Sequence, residues 1–340
     1  MSHVETRLKN CYHSYDMNVK FSVVIPVRAI NDFIREAFPH LINIDYPDYE
    51  VLIFPDELPD QSVLDELSNP RVRIIASGKT GPAQKRDMAM KYATGNVFAF
   101  IDDDAFPRQD WLKNAEKWFG DDGIGAVGGP AVTPENVGLL ERAGGIVLAS
   151  PLCSGGYVRR YIPKKLCDDD DIPSVNLIVR RDVFEGVNGF DSNYYPGEDT
   201  KLCLDITDKA KKRIVYDPNI LVYHHRRPIF RKHLKQISNY ARHRGFFMKK
   251  LPKTSLRPAY LLPLLFLLGI ILGPVVSHFF PVCWYIYASV LGLYALLDFA
   301  TTFSARHMAA SILAFFALFL THMTYGIFTI VGLFQKKLTR

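Results

Sequence analysis

The sequence predicts an α/β domain with a mostly parallel central sheet, followed by a basic amphipathic segment and an all-helical membrane region. Three observations lead there. In the N-terminal two thirds, short apolar runs rich in β-branched residues alternate with amphipathic stretches. In the C-terminal third, uncharged stretches approach the roughly 20 residues that a bilayer-crossing helix needs. Charge divides along the same line: residues 1–217 hold 26 Lys and Arg against 34 Asp and Glu, whereas after Asp217 there are 15 Lys and Arg and one acid, Asp298.

The strands come first. FSVVIP (21–26), EVLIF (50–54) and VFAFI (97–101) are continuously apolar rather than alternating, as in a sheet covered on both faces. Each is followed by polar or helix-starting sequence: Asn31-Asp32 before FIREAF, Gly81-Pro82 before AQKRDMAMKYA, and Pro107 before DWLKNAEKWF. Ligands of such sheets collect at the carboxyl ends of the strands. Those ends here carry Pro26-Val27-Arg28, Asp56-Glu57 and Asp102-Asp103-Asp104. No GxGxxG follows the first strand and no GxxxxGK[ST] occurs, so dinucleotide and P-loop readings lose support.

Three consecutive aspartates at the tip of a dry strand repel one another and need compensation from a cation, a helix terminus or solvent. In extended chain alternate side chains share a face, so Asp102 and Asp104 point one way and Asp103 the other. Two carboxylates on one side suit a hard divalent cation with oxygen ligands, and equally an acidic turn that caps the next helix. The run Asp168 to Asp171 reads as a solvated loop or a second cation site.

Residues 259–276, 279–297 and 308–334 are the apolar segments, about three spans with Pro263, Gly269, Gly273 and Pro274 in the first. Three spans place Lys336, Lys337 and Arg340 on the far side, against the usual charge bias, unless the first segment is re-entrant. Arg226 to Arg257 holds eleven Lys and Arg and no acid, which marks that end as cytoplasmic. Within it Leu234, Ile237, Tyr240 and Ala241 share one helix side, the pattern of a helix lying among headgroups. The N-terminal MSHVETRLKNCYHSYDMNVK has no apolar run and so no cleaved signal peptide is expected. Cys11, Cys153, Cys167, Cys203 and Cys283 are scattered and odd in number, as for reduced thiols in a cytoplasmic domain. The basic arm abuts a span and the rest of the chain is acidic, so nucleic acid is not the expected partner.

Over roughly residues 20–230 the chain resembles the family 2 glycosyltransferases of the GT-A fold, which are inverting and use nucleotide sugars. FSVVIPVRA (21–29), Asp56, GPAQKRDMAMKYATGNVFAFIDDDAFPRQDWL (81–112), NLIVRRDVFEGVNGFD (176–191), Gly197-Glu198-Asp199 and VYHHRR (222–227) carry the resemblance, in the family's order. It implies that Pro26, Val27, Arg28 and Asp56 surround the nucleoside, and that Lys85 or Arg86 reaches the sugar or diphosphate. It implies Mn2+ or Mg2+ on Asp102 and Asp104, with His224 (preferred over His225) as third ligand and Asp103 beside the donor. Asp199 matches the family's general base, with Glu198 second; Asn176 is expected near donor or acceptor sugar. Gln236-Ile-Ser-Asn-Tyr is similar to the QxxRW element of processive synthases, but Asn239-Tyr240 replaces Arg-Trp, leaving Arg242 and Arg244 to face the diphosphate.

The expected organisation is therefore a cytoplasmic catalytic domain (1–225), an interfacial segment (226–258) and a membrane region (259–340). The expected reaction is sugar transfer from a nucleoside-diphosphate sugar, UDP-sugar ahead of GDP-sugar, to a lipid-linked saccharide at the cytoplasmic face of a membrane (the inner membrane, if bacterial). Polyprenyl phosphate as direct acceptor is the nearest rival, and a non-catalytic metal-binding membrane adaptor the rival of another class.

Overall fold

The computed structural model describes residues 19–338, so Cys11, the N-terminal segment read for a signal peptide, and Arg340 lie outside the described residues. The chain forms two compact units, one of residues 1–132 and 162–224, the other of residues 133–161 and 225–340. Residues 133–161 therefore cluster with the C-terminal helices, unlike the uninterrupted 1–225 domain expected from sequence.

The first unit is built on an eight-stranded sheet in the order β3-β2-β1-β4-β9-β6-β10-β8. The strands are β1 Phe21–Pro26, β2 Tyr49–Phe54, β3 Val72–Ile74, β4 Val97–Phe100, β6 Ile124–Gly128, β8 Cys167–Asp169, β9 Leu177–Arg180 and β10 Arg213–Tyr216. β1 pairs in parallel with β2 and β4, and β2 with β3; β9 runs antiparallel between β4 and β6, and β8 antiparallel at the β10 edge. The sheet is thus mostly parallel, with β8 and β9 antiparallel to their neighbours.

Its continuous apolar runs are explained by two cores. Phe21, Val23 and Ile25 of β1, with Val97, Ala99 and Ile101, enter one; Val24, Phe98 and Phe100 enter the other. Helices α1 (Asp32–Ile42), capped by the Asn31 side chain on the Ile34 amide, and α3 (Trp111–Glu116) cover the first face through Ile34, Leu41, Trp111 and Leu112. Between them in sequence, α2 (Pro82–Asp87) covers the second face through Ala83. After α4 (Leu139–Ala149), which belongs to the other unit, α5 (Glu198–Asp208) joins α2 through Leu202, Cys203 and Ile206. Each fully buried side chain of this kind contributes about 1.5–3 kcal/mol.

A small second sheet, which the sequence did not reveal, matters more to function. β5 (Ala105–Pro107), β11 (Val222–His224) and β7 (Ala131–Val132) lie in the order β5-β11-β7. β11 runs antiparallel to β5 with His224 opposite Ala105, which brings a histidine late in the chain beside the aspartate run.

The second unit contains α4, α6 (Arg231–Lys250), α7 (Pro258–Phe279), α8 (Cys283–Thr302) and α9 (Met308–Phe334). Three helical stretches, Pro258–Phe279, Cys283–Thr302 and Ala305–Phe334, are long and apolar enough to cross a membrane. The proline-containing first stretch is one continuous helix. α6 packs along α9, so its inward face is His233, Ile237, Ala241 and Phe247, while Tyr240 is exposed. His233 Nε2 meets Thr321 Oγ1 at 2.9 Å. The crossing is backbone to backbone: a Cβ on Gly332 would lie 2.0 Å from the Arg242 carbonyl oxygen, and one on Gly245 2.3 Å from that of Thr329. Gly332→Val is expected to cost about 1–3 kcal/mol or more by overpacking and to lower the unfolding temperature, whereas Gly269→Val, whose Cβ meets nothing within 4 Å, leaves it within a degree or so.

Candidate active site

Alternation along β4 continues past its end. Asp103 turns toward α1, where its Oδ2 accepts a 2.6 Å hydrogen bond from Asn31 Nδ2, so one asparagine caps the helix and holds the aspartate. Asp102 turns the other way, toward α2, and its Oδ1 accepts from Arg86 Nη2 at 2.5 Å. Asp104 is buried and lies 3.1 Å from His224 Nε2.

α2 starts at Gly81 with Pro82 at its first position, where a missing N–H costs nothing. Successive helical residues point about 100° apart, so Lys85 and Arg86 reach different strand ends. Lys85 Nζ donates to the Val27 carbonyl at 2.5 Å and to Asp56 Oδ1, tying β1 to β2. Arg86, 4% exposed, donates through Nη1 to Glu198 Oε1 at 3.2 Å as well as to Asp102, and its guanidinium lies 5.6 Å from the centre of the Phe190 ring. Both cations have protein partners, so either reaches a donor only alongside the carboxylate it already holds.

Burial and the adjacent Asp199 push the Glu198 carboxyl up to about 7, against the pull of Arg86, which also serves Asp102. For Arg86 burial works against the charge, but Asp102 and Glu198 outweigh it and hold the guanidinium firmly protonated. Asp199, half-buried in the first turn of α5, accepts from the Thr200 amide at 2.8 Å and from the Ser174 amide at 3.4 Å. Tyr195, which the sequence reading passed over, stands in the same field: burial raises its hydroxyl, Glu198 and Asp102 raise it further, and Arg86 opposes them. Its place directly before Pro196-Gly197-Glu198 was the signal available.

Ligand atoms of Asp102, Asp104 and His224 all lie within 4.8 Å of one another. Two carboxylate oxygens and one imidazole nitrogen suit Mn2+, and Mg2+ with water completing its shell. The residues present therefore fit the divalent cation that the fold implies. The two histidines diverge, since His225 Nδ1 lies 2.8 Å from Glu141 Oε1 in the second unit.

Other expected contacts resolve differently. Pro26 pairs with Phe54, Val27 is buried, and the exposed Arg28 offers its carbonyl to the Asp56 amide at 3.0 Å. Asn176 does not fit a sugar contact: fully buried, it accepts from Trp111 Nε1 at 2.9 Å and donates to the carbonyls of Pro130 and Ile220 at 3.1 and 2.8 Å. Those bonds use its polar groups to brace three loops. Arg242 and Arg244 belong to the second unit, over the rings of Phe328 (5.2 Å) and Tyr260 (4.6 Å). Asp168 pairs with Arg213 at 2.7 Å, Asp169 accepts from the amides of Asp170 and Asp171, and Asp171 accepts from Thr200 Oγ1, so the acidic run is engaged locally.

Comparison with known proteins agrees with this geometry. The family described as glycosyl transferase family 2 matches residues 22–187. Pre-mycofactocin glycosyltransferase of Mycobacterium tuberculosis is 30% identical over 151 residues, a stretch covering 43% of this chain and 30% of that protein. The dolichyl N-acetyl-alpha-D-glucosaminyl phosphate 3-beta-D-2,3-diacetamido-2,3-dideoxy-beta-D-glucuronosyltransferase of Methanococcus voltae is 24% identical over 242 residues, 67% of this chain and 74% of that one. Among solved structures, the mannosyltransferase PcManGT from Pyrobaculum calidifontis, in complex with GDP-Man and Mn2+, aligns with a TM-score of 0.53 at 19% identity, covering 98% of this chain and 94% of that one. Residues 22–187 are a glycosyl transferase family 2 domain, and the fold that holds them is GT-A.

Two outcomes follow from the buried charges. Arg86→Met leaves Asp102 and Glu198 without their shared cation and is expected to cost about 3–5 kcal/mol, read by denaturant unfolding. Asp87, beside it on α2, accepts from the Phe190 amide at 2.8 Å and is pushed by burial from 3.8 to about 7. A carboxyl raised on folding favours the fold while protonated, and that contribution is lost as pH climbs from about 4 to about 7. Over that window wild type should lose stability relative to Asp87→Asn, measured as the difference between their unfolding temperatures; a constant difference would refute the assignment.

Proposed function

We propose that the protein is an inverting, metal-dependent glycosyltransferase that moves a sugar from a nucleoside-diphosphate sugar to a lipid-linked acceptor at the cytoplasmic face of a membrane. The observation behind this reading is the convergence of Asp102, Asp104 and His224 at the carboxyl end of β4, beside Arg86, Glu198 and Asp199. A divalent cation held by those three residues supplies positive charge to the diphosphate leaving group.

The remaining roles belong to the chain's own residues. Lys85 fixes the ends of β1 and β2, and Asp56 keeps its second carboxylate oxygen for an N–H of the base. Arg86 holds the Asp102 carboxylate in its orientation. Asp199 removes the proton of the acceptor hydroxyl as that oxygen attacks the anomeric carbon from the face opposite the diphosphate, inverting its configuration. Two backbone amides orient the Asp199 carboxyl group. The apolar helices of the second unit support an integral membrane location, with the basic stretch after Arg226 favouring the cytoplasmic side. The Methanococcus voltae relative acts, by its name, on a dolichyl-linked sugar phosphate, which supports a lipid-linked acceptor where membrane helices are present.

A thermal-shift titration of the detergent-purified protein with UDP, GDP, CDP and dTDP, each with Mn2+, Mg2+ or EDTA, tests the site. One nucleotide, UDP in this reading, should stabilise wild type only with metal, and Asp104→Asn should lose that response. Asp199→Asn should keep it while transfer from the matching sugar nucleotide to a membrane extract falls at least about 100-fold. Metal-independent responses, or full transfer by Asp199→Asn, would sink the respective assignment.

A further inference from the structure

The three membrane-length helices are not alike. In the most apolar part of α9, 39% of residues are buried within the protein, against 6% for α7 and for α8. The first half of α9 packs Ala310, Ala314 and Ala317 with Ala143 and Val147 of α4, and its second half lies along α6. Both of its ends meet charged side chains of those same segments. At the start, Arg306 is 4.0 Å from Glu135, and His307 stands in the field of Arg142 and Glu135. At the end, Lys249 Nζ donates to the Gln335 carbonyl at 2.8 Å. Between them Thr321 meets His233, at the start of α6.

A helix of 27 residues is about 40 Å long, enough to cross a bilayer. Here a crossing would carry α6 along, and α6 exposes Arg231, Lys232, Lys235, Lys249 and Lys250. Charged side chains in hydrocarbon are strongly disfavoured. The two faces of α9 agree with this. At about 100° per residue, Ile312, Phe316, Phe319, Leu320, Ile327 and Val331 fall within an arc of about 120°, and all are exposed. Ala310, Ala314, Ala317, Thr321, Thr329 and Gly332 are buried on the other side. A large apolar face backed by a basic helix suits the plane of the membrane surface.

α7 and α8 behave differently, touching the middle of α9 through their near ends only. Phe266, eight residues into α7, stacks at 4.4 Å on Tyr294, eight before the end of α8. The Tyr294 hydroxyl meets His322 Nδ1 at 3.0 Å. Ser150 Oγ donates to Thr301 Oγ1 at 2.8 Å, so α8 ends beside the segment that holds α4. At the opposite end of the pair, Phe279, Phe280, Val282 and Tyr285 are exposed.

We infer that α7 and α8 form the chain's membrane-crossing hairpin, and that α9 does not cross but docks on the headgroup and acyl boundary of the bilayer, its Ile312-to-Val331 face against lipid. Lys336 and Lys337 then share a side with the basic stretch, which removes the conflict with charge bias that three crossings create. The third apolar segment, and not the proline-containing first, is the one that stays on the near side. The inference rests on the membrane location proposed above and is independent of sugar transfer.

The full-length chain is expressed in bacterial cells with alkaline phosphatase, active only outside the cytoplasm, or a fluorescent protein, bright only inside it, fused to its C-terminus. Fluorescence is expected, with phosphatase activity at background. A membrane-impermeant maleimide is then applied to intact cells expressing Pro281→Cys or Ala305→Cys, each combined with Cys283→Ser. Pro281→Cys should be labelled at least tenfold more than Cys283→Ser alone, and Ala305→Cys only after the cells are permeabilised. Elution of the fluorescent fusion as a single species in detergent shows each variant folded; Val282→Cys replaces Pro281→Cys where that variant fails. An active phosphatase at the C-terminus, labelling of Ala305→Cys in intact cells, or no labelling at the hairpin tip overturns the inference. Release of the protein from membranes by alkaline carbonate would sink the membrane location as well, whereas retention with an active C-terminal phosphatase would sink this inference alone.

Discussion

The catalytic unit turns on one buried cation. Arg86 donates to Asp102, at the end of a central strand, and to Glu198, at the start of α5 on the same face of the sheet. Without it two carboxylates would share a dry site, and burial plus the neighbouring Asp199 already push Glu198 up to about 7. The guanidinium is planar and carries several N–H groups, so it can serve two acids in different directions where an ammonium could not do so with equal geometry. It thereby links strand, α2 and α5 into one rigid corner, and the candidate metal ligand Asp102 inherits its orientation from that corner. Lys85, one residue earlier, does the same for the ends of β1 and β2.

The three aspartates after β4 show how period-2 alternation distributes chemistry. Because Val97, Ala99 and Ile101 face one core and Phe98 and Phe100 the other, the strand end has to send Asp103 to the α1 side and Asp102 to the α2 side. Each like-charged neighbour finds a different partner: Asn31, Arg86 and His224. Crowding is tolerated because the charges are not pooled. The short β5–β11 pairing completes the arrangement by placing His224 opposite Ala105.

Much of this was legible in the sequence, and the reasons differ by element. Continuous apolar runs gave β1, β2 and β4 nearly to the residue, because burial on both faces leaves no other composition. The facing of Asp102 and Asp104 followed from strand geometry, and His224 from the family resemblance. What was not legible depends on distant contacts. Nothing near Asn176 announces Trp111, Pro130 and Ile220, whose bonds occupy it. The close packing of α6 on α9 through Gly245 and Gly332 was likewise not legible. Glycine contacts leave no hydrophobic period to read. The assignment of residues 133–161 to the helical unit likewise depends on long-range packing that no local motif carries.

Glu198 and Asp199 are adjacent in sequence yet suited to different work. Glu198 is 5% exposed and joined to Arg86, so neutralising it or moving it disturbs the corner that holds Asp102. Asp199 is half-buried rather than sealed, and two backbone amides fix its direction. A general base has to reach solvent or substrate and has to release its proton afterwards; a buried, charge-coupled acid does neither easily. Two neighbouring carboxyls in unlike environments commonly divide acid–base and structural roles in this manner. The environment therefore favours Asp199 as the group that meets the acceptor hydroxyl, with Glu198 keeping Arg86, and through it Asp102, in place.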